Sequence, residues 1–384
     1  MPLANAFLRK DQIAKEKRYD LSVGFCPNCY LVQLMKTVDP SVLFSDYVYF
    51  SSVTQSIVDH SKKTADYLIK RFNLTTKSLV LEIGSNDGVH LQFYKNQGIK
   101  ILGIDPAQNI AKKTNEKGIP TIADFFSEKL AVKLVSDKQV EADIVYGANV
   151  FAHVPDIVDF LKGVKKVLKK KGVAIFEFPY LKGLLENKFD TIYHEHVFYY
   201  SAIAVRNLFQ YADLELVDIE EVPMQGGSLR VFASHPEKFP ISSKVTRMIA
   251  NEKKAGFERL ETYELMNARV TKLKKELLNY LKQLRKEGKR IAGYSAPAKG
   301  NILLNFFGLR KYLDYIVDKA PAKQGLYTPG THFLVYPPSQ IDQERPDFLL
   351  ILCWNIADEV MKQYTDYKQK GGKFIIPIPR VTII

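Results

Sequence analysis

Ser78–Gly88 reads SLVLEIGSNDG, and the fold follows from it. Leu79, Val80, Leu81 and Ile83 form an apolar run that breaks at Gly84 and Gly88, which spells a buried strand and a tight turn. Working outward, IKILGIDPA (99–107) gives another strand and NIAKKTNEKG (109–118) a helix. EADIVYGANVFAHV (141–154) adds a strand and a loop. DIVDFLKGVKKVLKKKG (156–172) has helical spacing on its apolar side, and GVAIFEFPY (172–180) is again a strand. Strands alternating with helices predict an α/β sheet, mostly parallel.

The glycine turn can cradle a dinucleotide or a methyl donor. A dinucleotide fingerprint wants GxGxxG, whose second glycine lets the backbone reach a pyrophosphate. Here Asn86 stands at that place. Glu82 and Asp87 would repel a pyrophosphate but suit the ammonium of a methionine moiety. Gly84 and Ser85 form the turn itself. Asp105, 21 positions after Gly84 at the end of the second strand, can accept both ribose hydroxyls. Asp124 in IADFF is placed to meet an adenine amino group, with Phe125 or Phe126 against the ring, and Asn149 in the loop after EADIVYGA completes the set. Together these favour S-adenosylmethionine over NAD.

The chain has 384 residues, 46% of them hydrophobic, enough for two or three domains with real cores. Residues 1–75 hold a CxxC, the aromatic cluster SDYVYFSS and a helix through HSKKTADYLIKRF. Residues 76–239 are the α/β unit just read. Residues 240–384 open with one long amphipathic helical pattern from VTRMIAN to RKEG. Strands and helices then alternate through KRIAGYSA, KGNILLNFFG, LDYIVD, DFLLILCWN and KFIIPIP, a second, smaller α/β unit. No run of about 18 apolar residues is present, so no membrane span is expected. The apolar run at MPLANAF is too short for a signal peptide, which predicts a cytoplasmic location. The net charge of +13 reads as a lysine-rich solvated surface or as a partner carrying phosphate. Basic arms typical of nucleic-acid binding are missing.

The cysteines are Cys26, Cys29 and Cys353. Cys26 and Cys29 have the spacing of half a structural zinc site, and a four-cysteine site needs a second pair. On these residues alone the metal-free reading is favoured.

The ordered set PLANAF, CPNCYLVQL, DYVYFSS, LEIGSNDG, TIYHEH, GGSLRVFASH, APAKGN, VDKAPAKQG, PGTHF and FIIPIP resembles the sugar C-methyltransferases that act on C-3 of a nucleotide-linked 4-keto-6-deoxy sugar. The resemblance covers nearly the whole chain. It implies an N-terminal zinc-binding domain, a Rossmann-like S-adenosylmethionine domain and a C-terminal α/β domain that helps hold the nucleotide sugar, with dTDP as the expected nucleotide. Family members carry another CxxC upstream of PLANAF, before the point where this sequence starts, so the start is trimmed or the zinc is lost. They often have a histidine where this chain has Gln225, and a glycine where it has Ser295.

Thr191–Ser201, TIYHEHVFYYS, crowds two histidines and a glutamate among aromatic rings. Carbon methylation needs a carbanion-like nucleophile, which loss of the hydrogen alpha to a ketone provides. One group must take that proton and others must steady the charge growing on the ketone oxygen. The resemblance assigns the proton to His196. Glu195 would orient the imidazole or hold a sugar hydroxyl, Tyr193 would donate to the sugar or the enolate oxygen, and Tyr47 or Tyr49 would close the site. In a regular strand Tyr193 and Glu195 would lie opposite His196, so these roles require irregular backbone. A regular strand would instead put His194 and His196 on one face, where HxH can bind zinc, but no third ligand is evident.

In the third region, the turn SAPAKGN leads into a helix whose N-terminus attracts phosphate. Lys299 adds a cation, Asn301 a donor, and Ser295 adjusts the pocket. Asp318 is placed to meet a base or ribose and Lys323 to reach a phosphate. The competing readings are an O- or N-methyltransferase of another small molecule and a non-catalytic nucleotide-binding scaffold.

Overall fold

The computed structural model describes residues 1–44, 50–224 and 226–384. Tyr47, Tyr49 and Gln225 lie outside the described residues.

The central sheet comprises β3 (Leu79–Ile83), β4 (Lys100–Ile104), β5 (Thr121–Ile122), β6 (Ala142–Ala148), β7 (Leu168–Pro179), β9 (Glu215–Val222) and β10 (Ser228–Ser234), in the order β5-β4-β3-β6-β7-β10-β9. β5, β4, β3, β6 and β7 are parallel, and β10 is antiparallel to both its neighbours. Apolar clusters cover both faces, which is why the first strand reads as a continuous apolar run rather than an alternation. The strand order reverses between β3 and β6. In open α/β sheets the ligand crevice opens at that switch, beyond the carboxyl ends of the strands.

The C-terminal sheet repeats the plan. It comprises β11 (Ile291–Tyr294), β12 (Tyr315–Val317), β13 (Val335–Tyr336), β14 (Phe348–Ile351), β15 (Lys373–Ile376) and β16 (Thr382–Ile383), ordered β13-β12-β11-β14-β15-β16. A small third sheet joins β1 (Val23–Phe25) and β2 (Val32–Leu34) to β8 (Phe198–Tyr199), a strand supplied from far downstream.

Packing crosses the expected borders. Helix α1 (Gln55–Arg71) buries Ala65 and Leu68 against the central sheet. Helices α2 (Ile157–Val167) and α3 (Ala202–Tyr211) line its other face together with Val245 and Ile249 of α4 (Ser243–Lys254). The long helical pattern of the third region is two helices. It breaks at Gly256, whose φ of +82° is glycine-compatible, and resumes as α5 (Leu260–Lys286). Val270, Leu273, Leu277, Leu281 and Leu284 then recur every three or four residues, a stripe that packs on the C-terminal sheet. A second departure lies at the lysine run after α2. The helix ends at Val167, and Leu168 already pairs with Ala142 of β6. Lysine tolerates either state when exposed, so the tertiary pairing decides.

Candidate active site

The donor turn follows β3. Gly84 and Asn86 have φ of +68° and +46°, conformations natural to glycine and tolerated by asparagine. A Cβ on Gly84 would stand 3.0 Å from Cβ of Val150, so the turn fits tightly against the end of β6. Asp105 accepts the Asn86 amide at 2.9 Å and the Ala107 amide at 3.0 Å. Ser51 donates its amide to Asn86 Oδ1 at 2.9 Å and Ser52 to Asp87 Oδ2 at 3.3 Å, which brings the chain leading into α1 over the turn. That helix is fastened to the sheet by His60, 2.7 Å from Glu177 Oε2, and Glu177 Oε1 in turn accepts Arg230 Nε at 2.8 Å.

Around this turn Glu82 Oε2, Ser85 Oγ and Asp87 Oδ1 are sealed from solvent without hydrogen-bond partners. Burial, then the charges of Asp105 and Asp87, hold the Glu82 carboxyl well above its usual range, and burial also raises Asp105. Orphaned buried acceptors are costly unless a ligand supplies donors. A cationic methionine moiety and ribose hydroxyls supply them, so these residues fit S-adenosylmethionine. Asn149 is exposed and gives its amide to the Glu177 carbonyl at 2.7 Å. Asp124 is exposed, its carboxylate taking the Phe125 amide at 2.8 Å. Phe125 is the exposed ring of its pair, whereas Phe126 packs in the core against Phe160.

The Tyr-His-Glu-His segment is irregular. The His196 amide turns back to the Tyr193 carbonyl at 2.9 Å, and a strand begins only at Phe198. His196 is buried. Its Nδ1 lies 2.9 Å from the Thr191 carbonyl, which can only accept, and 3.1 Å from the Thr191 hydroxyl, which can do either, so this pairing assigns the hydrogen to Nδ1. Nε2 is left to accept the Tyr193 hydroxyl at 2.9 Å. Burial, then the nearby His153 and Lys299, hold the imidazole well below its ordinary basicity. His153, missed in the sequence, lies 5.1 Å ring to ring from His196, its Nε2 sealed without a partner and its basicity pushed down to about 4 by burial. It follows Val150 by three residues, and the Val197 amide donates to Ala152 at 2.7 Å. The Gly84 turn, the end of β6 and the His196 segment thus adjoin one another.

Thr191 supplies the hydrogen-bond partners of His196 Nδ1, and Glu195 has its own partner elsewhere. Glu195 is buried and accepts Asn5 Nδ2 at 2.7 Å, and burial pushes its carboxyl up to about 7. Tyr193 gives its proton to His196 rather than toward open space. The His194 ring packs elsewhere, edge-on to Tyr19.

The N-terminal segment joins this loop to the C-terminal sheet. Asn301 donates to the Ala4 carbonyl at 2.8 Å, and Ala4, Tyr193 and Ile302 form one apolar cluster. Asn301 Oδ1 is sealed and unpartnered. Asn301 and Lys299 stand in the first turns of helix α6 (Ala298–Phe307). Ser295 has a φ of +69° and gives its hydroxyl to Asp318 at 3.0 Å. Asp318 also accepts the amides of Ala296 and Ala320 at 2.7 and 2.8 Å. Lys323 lies 3.4 Å from the same carboxylate and donates to the Ala296 carbonyl at 3.0 Å, so both residues are engaged inside the turn.

Cys26 and Cys29 are free thiols at the β1–β2 turn. Backbone amides lower the first and burial raises the second. Among the described residues no three His, Cys, Asp or Glu gather as a metal site. Two thiols supply half of the ligands of a structural zinc site. Among the described residues no helix is long and apolar enough to cross a membrane.

Three family models match the chain: a C-methyltransferase C-terminal domain over residues 223–379, a methyltransferase domain over 57–219 and a zinc binding domain over 1–44. The C-methyltransferase NovU of Streptomyces niveus is 35% identical over 387 residues, covering 100% of this chain and 92% of that protein. A ubiquinone biosynthesis O-methyltransferase of Pasteurella multocida (strain Pm70) is 27% identical over 120 residues, 29% of this chain and 50% of its own length. Among solved structures, an S-adenosylmethionine-dependent methyltransferase from Clostridium acetobutylicum ATCC 824 aligns at 13% identity over 46% of this chain and 92% of that one, with a TM-score of 0.38.

Proposed function

This chain belongs to the C-methyltransferase family of NovU, is an S-adenosylmethionine-dependent enzyme, and, we propose, methylates C-3 of a nucleotide-linked 4-keto-6-deoxy sugar. The observation that carries the reading is the Tyr193–His196 pair, a phenol donating at 2.9 Å to a buried neutral imidazole that Thr191 holds in one tautomer. An oxygen or nitrogen already carries the lone pair that takes up a methyl, so a base there only assists. A carbon alpha to a ketone acquires its electron pair only when the proton leaves, so there the base creates the nucleophile.

The C-3–H electron pair moves into the bond toward C-4, and negative charge grows on the ketone oxygen. The proton passes to the Tyr193 oxygen as the Tyr193 proton passes to His196 Nε2. S-adenosylmethionine, when bound, would supply an electrophilic methyl whose bond to sulfur breaks as the bond to the enolate carbon forms, the sulfonium leaving as a neutral thioether. Glu82, Asp87 and Asp105 hold the donor in line with that carbon, and such orientation is a large part of the rate. Glu195, with one oxygen bonded to Asn5, offers the other to a sugar hydroxyl. The first turns of α6 face the diphosphate.

The test is hydrogen exchange at C-3 of a dTDP-4-keto-6-deoxyhexose in deuterated buffer, with and without S-adenosylmethionine. The wild-type protein exchanges without the donor and methylates with it. His196→Asn loses both by roughly 10²–10⁴-fold. An unchanged rate in that variant would sink the proposal.

A further inference from the structure

We propose that Lys299 is the cation that stabilises the charge developing on the sugar ketone, held there by Asp190 as its counter-ion. The inference rests on the C-methyltransferase reading above and gives Lys299 a role at the reacting carbonyl instead of at the diphosphate.

The relay has an unmet requirement. An imidazole held well below ordinary basicity is a poor match for a carbon acid. Proton transfer then depends on a positive group at the ketone oxygen. Tyr193, the expected donor, has one proton, and it points at His196.

Asp190 is fully buried and unexplained by anything in the relay. It lies in the turn Phe189–Thr191, so its neighbour is the residue that fixes His196. Its Oδ2 accepts Trp354 Nε1 at 2.6 Å, while Oδ1 is sealed without a hydrogen bond. A buried carboxylate of this kind needs a compensating charge. Burial raises the Asp190 carboxyl and the charge of Lys299 acts against that rise, with the Lys299 ammonium 6.0 Å from the centroid of the same Trp354 ring. The charge of Lys299 also reaches His196. Phe189 seats the turn against Phe306 and Phe307 of α6 at 5.3 and 5.4 Å, the helix that carries Lys299. The turn that carries Asp190, the helix that carries Lys299 and the imidazole are thereby held relative to one another by two aromatic contacts and one indole bond. Asp190 is a positioning residue, and Lys299 is the group that meets the substrate.

The test separates kcat from KM, using the full chain with S-adenosylmethionine and a dTDP-4-keto-6-deoxyhexose. Lys299→Met lowers kcat and donor-free C-3 exchange by roughly 10²–10³-fold and moves the KM for the sugar nucleotide by less than about threefold. Lys299→Arg recovers part of the loss. Lys299→Gln carries the test should the methionine variant not fold. Asp190→Asn keeps an acceptor for Trp354 but removes the charge. It lowers kcat about tenfold, and combining it with Lys299→Met adds no further loss, as coupled groups require. A rise in KM at unchanged kcat in Lys299→Met would return Lys299 to the phosphate and overturn the inference. Additive losses would overturn the role of Asp190. If the wild-type protein neither exchanges nor methylates, the underlying C-methyltransferase reading fails instead.

Discussion

The turns after β3 and β11 share a plan and differ in what they leave open. Each first strand sits mid-sheet and is followed by a residue with φ near +70°, Gly84 in one and Ser295 in the other. Each second strand is followed by an aspartate, Asp105 and Asp318. Asp105 accepts two amides beside carboxylates whose outer oxygens have no partner. Asp318 accepts two amides, a hydroxyl and an ammonium. The carboxylates beside Asp105 keep unmet acceptors, whereas the carboxylate of Asp318 is met by its own turn. An acid at the end of a second strand therefore signals a binding site only while its neighbourhood leaves hydrogen bonds unmet.

Mutation can break that contrast. The largest effect is expected from Asp318→Ala, which strands Lys323 and two amides. Stability falls by about 3–5 kcal/mol in denaturant unfolding, while affinity for S-adenosylmethionine per folded molecule stays unchanged. Loss of donor affinity at unchanged stability would erase the distinction.

Glu195, with one partner, stands between the two cases. Its carboxyl titrates near 7 in the fold and about 4.3 when unfolded, so its folded pKa is the raised one. Its favourable contribution is full below pH 4 and is lost as pH rises through 7. Glu195→Gln mimics the protonated state. From pH 5 to pH 8 the variant gains about 3 kcal/mol on the wild-type protein in paired unfolding curves, and a pH-independent difference would refute the assignment. Next comes Asp105→Asn, which points an amide group at a backbone N–H and loses a ribose acceptor. Calorimetry should find donor affinity lower by about 10–100-fold, equivalent to roughly 1.5–3 kcal/mol. Smallest is Ser295→Gly. Relief of about 1 kcal/mol of backbone strain offsets a lost hydroxyl bond of about the same size, so the melting temperature moves by no more than a few degrees.

What the sequence made legible was local. Apolar runs, the Gly84 turn and the strand-end aspartates announce themselves within a few residues, whereas the need for irregular backbone at Tyr193–His196 follows from the roles that the family resemblance implies. The rest depends on approach in space. Asn5 meets Glu195 across 190 positions, and Trp354 meets Asp190 across 164. No periodicity encodes either contact. His153 had the best available signal, a histidine just beyond the strand at the topological switch. The division at Gly256 could be foreseen as an isolated glycine in a helical pattern, whereas the end of α2 among lysines could not.

The small sheet has a consequence for biosynthesis. Its third strand, β8, ends at Tyr199, whereas β2 ends at Leu34. A ribosome adding about 5–20 residues per second leaves the early hairpin without its outer partner for roughly ten to thirty seconds. During that interval an open strand edge is available to other nascent chains. Slowing translation between these points should lower the soluble yield, and a chaperone that shields edges should restore it.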